Sequence, residues 1–308
     1  MYLLADDRDD GSFKKVSFSG FPKRDILTAI RREILKGDPA TTARWVAEAH
    51  ASGWIAEMFD VYEQIAVRDI GIGNPRIFPY IQERREVIRQ AIQGKHSFLE
   101  TRNDATVRYV LLEVAMIELA SQKRVLGKLK KLKEADLGSE ECLRRLRCFE
   151  EKHVDAVWDA DKDPSSLKGV YNELFGAIQR QDLDLTMYWI AWLQMWEKIG
   201  QPTPSGDAPE ECPVTLQGWV GWKIWKYLLS GNIAIPGLVP LLFKMTCHDV
   251  RGNKKTFRDD CLLLACVSVC ETLDTSRPLV RDTGDIVRKA DSSVTDRVYR
   301  EMVESMVH

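Results

Sequence analysis

Apolar residues recur at helical spacing along nearly the whole chain, and this is the feature that most limits what it can fold into. Ile26, Ile30 and Ile34 fall every fourth residue. Ile55, Met58, Phe59, Tyr62, Ile65 and Ala66 keep a three-four rhythm, as do Ile77, Tyr80, Ile81, Ile88 and Ile92, with Arg84 intruding. Val107, Val110, Leu111, Val114 and Ile117 mark another helix, and Leu143, Leu146, Phe149 and Val157 a less regular one. Such stripes bury one face of a helix against its neighbours, so the expected class is all-α. Only 14–21 reads as a short strand.

Breaks in the pattern divide the chain. Residues 159–169, "DADKDPSSLKG", combine acids, a proline and serines, and residues 200–213 hold four prolines. The expected organisation is an N-terminal extension (1–22), a helical lobe (23–158), a linker (159–166) and a second lobe (167–308). The second lobe would hold a Trp-rich helix (216–229), an apolar piece (233–246), an apolar helix (260–273) and a terminal amphipathic helix with Val294, Val298, Met302 and Met306.

The lobes share a pattern. "EILKGDPATTARWVAEA" (33–49) and "GAIQRQDLDLTMYWIAWL" (176–193) place Ile34 and Ile178, Asp38 and Asp182, Trp45 and Trp189, and Ala47 and Ala191 at one offset of 144 residues. Each reads as a helix, a polar turn and a second helix. Asp38 and Asp182 would cap the second helix and the tryptophans anchor it, giving two similar lobes by internal duplication. Chance likeness between two amphipathic hairpins is the competing reading.

Composition excludes several classes. Hydrophobic residues make up 44% and charged residues 29%, values of a folded globular chain. The net charge of −2 supplies no global field for nucleic acid. Seven cysteines, an odd count, and an acidic N-terminus in place of a leader point to reduced thiols in an intracellular compartment, nuclear or cytoplasmic. The longest apolar runs, 233–243 and 261–270, fall well short of a membrane span.

"VRDIGIGNPRI" (67–77) carries a Gly-x-Gly. A dinucleotide loop would need a preceding strand and a third glycine. Here a helix precedes it, so Gly71 or Gly73 reads as a helix C-cap and Asn74-Pro75 as the opening of the next helix. No P-loop motif occurs.

These residues carry a resemblance. Residues 33–75 resemble the region that follows the ATPase module in the RarA/MgsA family of clamp-loader-related AAA+ ATPases, which includes the Werner-helicase-interacting ATPase. The matching positions are Gly37, Asp38, Pro39, Trp45, Gly53, Asp69, Ile70, Gly71, Asn74 and Pro75, to which Asp182 and Trp189 add the second hairpin. Residues 1–32 precede the match, and no ATPase module is read in them. The layout with "YWIAWL" also looks like an uncharacterised protein of large DNA viruses, which would place it in infected host cells. The resemblance implies a clamp-loader collar-like fold that supports oligomerisation. On that basis the expected role is a non-catalytic structural or adaptor protein of DNA replication or repair, with protein partners and no cofactor.

Two alternatives stand beside it. Lys123, Arg124, Lys128, Lys130, Lys131, Lys133, Arg144, Arg145 and Arg147 form a basic stretch that fits DNA phosphates or, equally, a solvated amphipathic helix. Asp159, Asp161 and Asp163 offer carboxylates for a metal-dependent nuclease, or a solvated linker. Trp189, Trp192, Trp196, Trp219, Trp222 and Trp225 read as core or interface before base stacking. Cys261, Cys266 and Cys270, near Cys247 and His248, are the only metal candidates, with Cys266 and Cys270 one turn apart, but without a C-x-x-C and among Leu, Ala and Val they read as core thiols. None of the five histidines sits in a nucleophile motif.

Overall fold

In the computed structural model, residues 3–146, 151–199, 214–231, 233–234, 236–247, 254–274, 276, 278–280 and 292–304 are described. Among them the regular structure is helical. The strand expected at 14–21 reduces to an isolated antiparallel bridge between Val16 and Pro22.

Contacts divide the chain into two units, one of residues 1–125 and 274–308 and one of 126–273. Neither boundary falls at 159–166, the expected linker, and the terminal helix belongs to the first unit. The physical reasons lie in two side chains. Asp163 is buried and ion-paired to Lys223, which fastens the acidic segment into the second unit. Tyr299 of the terminal helix is buried beside His50 of the first.

The first unit contains α1 (Lys23–Lys36), α2 (Pro39–Ala51), α3 (Ile55–Ile65), α4 (Ile77–Ile92), α5 (Phe98–Arg102) and α6 (Ala105–Ala120). α6 is its axis. Every residue from Val107 to Glu118 except Tyr109 is buried, because α1, α2, α3 and α4 all pack on it. A helix apolar on nearly all sides has to lie in the interior.

The second unit contains α7 (Glu140–Arg145), α8 (Ser165–Gln179), α9 (Leu183–Lys198), α10 (Val214–Leu229), α11 (Leu238–Cys247) and α12 (Lys254–Cys270). α12 is central here, packed against α8, α9, α10 and α11. α10 is broken at Gly218, with φ 70° and ψ 157°, where a side chain would collide with the Glu197 carboxylate. The chain then closes its first unit with α13 (Ser292–Glu304), which lies on α2 and α6.

The α1–α2 and α8–α9 hairpins close through the same turn. Gly37 adopts φ 79° and Gln181 φ 57°. The Gly37 N–H donates to Ile34 O (3.3 Å) and the Gln181 N–H to Ile178 O (3.0 Å). One residue on, the Asp38 N–H donates to Glu33 O (3.2 Å) and the Asp182 N–H to Ala177 O (2.9 Å). Each pair of donors and each pair of acceptors is again 144 residues apart. Both hairpins thus use the left-handed helix ending that satisfies the last carbonyls of a helix. Both aspartates then cap the next helix: Asp38 accepts from Ala40 N and Thr41 N (3.1 and 3.2 Å), Asp182 from Leu185 N (3.0 Å). Thr42 and Thr186, at the same offset, are both fully buried.

Candidate functional site

The residues of the Asp-Ile-Gly stretch act as a brace. α3 runs into a π-helical turn, Ala66–Ile70, and a 3₁₀ turn, Gly71–Gly73, before α4 begins. Asp69 accepts two hydrogen bonds from Arg31 of α1, both 3.1 Å. Ile70 O accepts from Arg124 N (3.2 Å). Gly71 ends the helix with a positive φ of 51°, its N–H given to Ala66 O. Gly73 allows the chain to pass the Gln122 carbonyl, which a Cβ would approach to 2.6 Å. The Asn74 amide donates to Ser121 Oγ (2.8 Å) and Leu279 O (2.7 Å). Pro75 then leads into α4, with Ile77 N bonded to Asn74 O (3.1 Å). The segment joins α1, α3, α4 and the end of α6.

The other signature residues hold the hairpins. Pro39 occupies the first turn of α2, where no N–H is needed. Gly53 ends α2 at φ 76°, with the Phe98 ring 2.3 Å from where a Cβ would stand. Trp189 is fully buried, whereas Trp45 is only half-buried, edge-on to Phe21. The two anchors expected to match therefore differ in depth.

The basic stretch is not one amphipathic helix. Residues 122–133 are irregular, followed by a 3₁₀ turn (Glu134–Asp136) and α7. Many of its cations are already engaged. Lys123 Nζ donates to the carbonyls of Glu118, Leu119 and Ser121 (2.6, 3.1 and 2.8 Å), closing the end of α6, and burial lowers its pKa. Arg144 pairs with Glu140, and Arg145 pairs with Glu141 and lies over the Tyr188 ring. Lys130 approaches Glu141 at 3.8 Å. Lys128, Lys131 and Lys133 face solvent, as does Arg124, whose N–H serves the brace. Arg147 lies outside the described residues.

The nuclease carboxylates do not converge. Asp161 is exposed, Asp159 half-exposed, and Asp163 is buried against Lys223. No group of three metal-binding side chains gathers among the described residues. Cys261, Cys266 and Cys270 are buried free thiols, and burial raises the Cys266 pKa. Trp219, Trp222 and Trp225 are core residues, while Trp196 is half-buried and stacks on Trp192. Cys148, Cys212 and His248 lie outside the described residues.

No family model, curated protein or solved structure matches this chain.

One concave site was not anticipated. A groove of about 650 Å³ opens between the 14–23 turn, α1 and α3. Lys14, Lys15, Lys23, Arg24 and Arg31 line it, together with Pro22, Leu27 and Val61. The turn is held firmly: Lys23 N donates to Lys15 O (2.9 Å), Ser17 N to Phe21 O (2.7 Å), and the Trp54 indole to Phe13 O (2.8 Å). Lys23 pairs with Glu57 (2.7 Å) and Arg31 with Asp69 (3.0 Å). Among the described residues no carboxylate lies within ion-pair distance of Lys14, Lys15 or Arg24. A sequence signal existed, since Arg24, Thr28 and Arg31 share one face of α1. Its partner cations come from the turn, and only folding brings them opposite.

Behind the brace lie two buried carboxylates. Burial pushes Glu63 up to about 7, against the pull of Arg85 (3.2 Å) and the Gln82 amide (2.9 Å). Glu118 is fully buried, and the same cause raises its pKa well above the ordinary carboxylate value. His50, sealed in the core with Nδ1 2.5 Å from the Tyr299 hydroxyl, is lowered to about 3 by burial and by Arg108 and Arg102. These groups sit within packing and line no groove.

Proposed function

We propose that this chain is a non-catalytic helical scaffold of DNA replication or repair, acting by side-by-side packing of helices with protein partners or further copies of itself. The observation that carries the reading is the matched pair of hairpins. One left-handed turn, one aspartate cap and one buried threonine recur at a constant 144-residue offset. Duplication of a single packing element would explain that offset, and helical hairpins of this kind are the units that pack side by side in an assembly.

Other features support the reading. The residues of the collar-like signature are spent on bracing helices, as a collar requires. His50, Glu63 and Glu118, all with strongly shifted pKa values, are enclosed in the core, which fits structure better than turnover. Buried free thiols fit a reducing intracellular setting. No described helix is long and apolar enough to cross a membrane.

The test is direct binding. The full chain is titrated against purified ATPase subunits of the clamp-loader and RarA types, and the products are weighed by native mass spectrometry. A defined complex or a homo-oligomer is expected. A monomer that binds none of them overturns the proposal.

A further inference from the structure

We propose that the groove between the 14–23 turn and α1 binds a segment of single-stranded nucleic acid, its phosphates held by Lys14, Lys15 and Arg24. The site is separate from the basic stretch at 123–147, and the inference does not depend on the scaffold reading.

Charge is the first argument. The chain as a whole carries a net −2, yet five cations line this one concavity. Glu57 and Asp69 neutralise two of them, and the remaining three have no carboxylate within ion-pair distance among the described residues. Asp9 feels Lys14 only as a weak, longer-range attraction. Like charges held together in a cleft repel, and a bound anion relieves that repulsion.

Shape and lining identify the anion. The three cations left without a carboxylate partner come from two sides of the groove, Lys14 and Lys15 from the turn and Arg24 from α1, which suits a run of phosphates better than a single one. Pro22, Leu27 and Val61 add apolar surface to the same lining, with Thr28 and Gln64 as polar groups. A single strand offers both chemistries at once, phosphates for the cations and sugar or base faces for the apolar lining. A duplex conceals its base faces and leaves that apolar lining without a partner. The pinned turn means that little ordering is left to be done on binding.

The experiment is fluorescence anisotropy of a labelled oligo-dT 12-mer with the full chain, across a range of salt. Three phosphate contacts predict a slope of log affinity on log salt of about −2, since single strands give roughly −0.7 per contact. Lys15→Glu with Arg24→Glu is expected to weaken binding at least tenfold. Lys128→Glu with Lys131→Glu, in the other basic stretch, is expected to leave it within twofold. Thermal melts check that both variants fold, and Lys15→Gln with Arg24→Gln replaces the first if it does not. Ultraviolet crosslinking of a thymine strand, mapped by mass spectrometry, should label residues 14–31. Four results overturn the proposal: no binding at low salt, unchanged affinity in the groove variant, loss in the 128/131 variant instead, or crosslinks elsewhere. Equal or tighter binding of a duplex, a nucleoside triphosphate or poly-glutamate also overturns it, in favour of that ligand.

Discussion

Gln181 shows what one residue reveals about design. Among the described residues it alone, without being glycine, takes a positive φ, at the position where the first hairpin has Gly37. A left-handed residue bearing a Cβ is strained by about 1–2 kcal/mol. Gln181→Gly should therefore stabilise the chain by about 0.5–1 kcal/mol after the entropic cost of glycine is subtracted. Chemical denaturation checks this, and a loss of stability would mean that the Gln181 amide contact to Val269 O (3.4 Å) outweighs the strain. Glu63 makes a second prediction. Its folded pKa of about 7 lies above the ordinary 4.5, so the folded state binds the proton more tightly. Its stabilisation is full below pH 4.5 and is lost as pH rises through 7. Glu63→Gln should remove that slope, improving relative to the parent by about 2 kcal/mol between pH 5 and pH 8. Residue identities made the caps at Asp38 and Asp182 and the helix ending at Gly71 legible in the sequence. They did not reveal that Asp163 is buried, because an acid between a lysine and a proline looks solvated until Lys223 arrives from a distant helix.

At the scale of elements, periodicity located the helices where one face packs and failed where packing is absent or complete. The stripe through Val107 and Ile117 predicted α6 but not its depth, since Arg108, Glu113 and Glu118 look like an exposed face and are buried. Residues 122–133 carry leucines at 126, 129 and 132, near enough to helical spacing to mislead. Dense lysines, glycine at 127 and backbone bonding to Ile70 hold that stretch out of a helix. The groove escaped notice for a related reason, being made of one helix face and one turn. α10 offers the clearest mutational test at this scale. Lys223 bridges Asp163 and Val157 O (3.0 Å) beneath Trp158 and Trp219. Lys223→Ala leaves a buried carboxylate unpaired and should cost about 3–5 kcal/mol, measured by thermal unfolding. Lys223→Met with Asp163→Leu should recover much of that loss, because an apolar pair of similar volume needs no desolvation.

For the whole molecule, the chain begins and ends in one contact unit and builds the other from its middle. Sequence breaks could not show this, because a return of the chain depends on which buried surface α13 covers: Tyr299 meets His50 and Arg108 across 249 and 191 residues of sequence. The likeness of the two hairpins was visible as a spacing, and the structure shows that they share the turn and the aspartate cap at that spacing. That repetition underlies the claim that the protein works by assembly. Sedimentation of the full chain over a wide concentration range, alone and with the replication ATPases, tests the claim most directly. Species heavier than the 35.2 kDa monomer are expected, as a self-assembly or a stoichiometric complex. A 35.2 kDa species under every condition would contradict it.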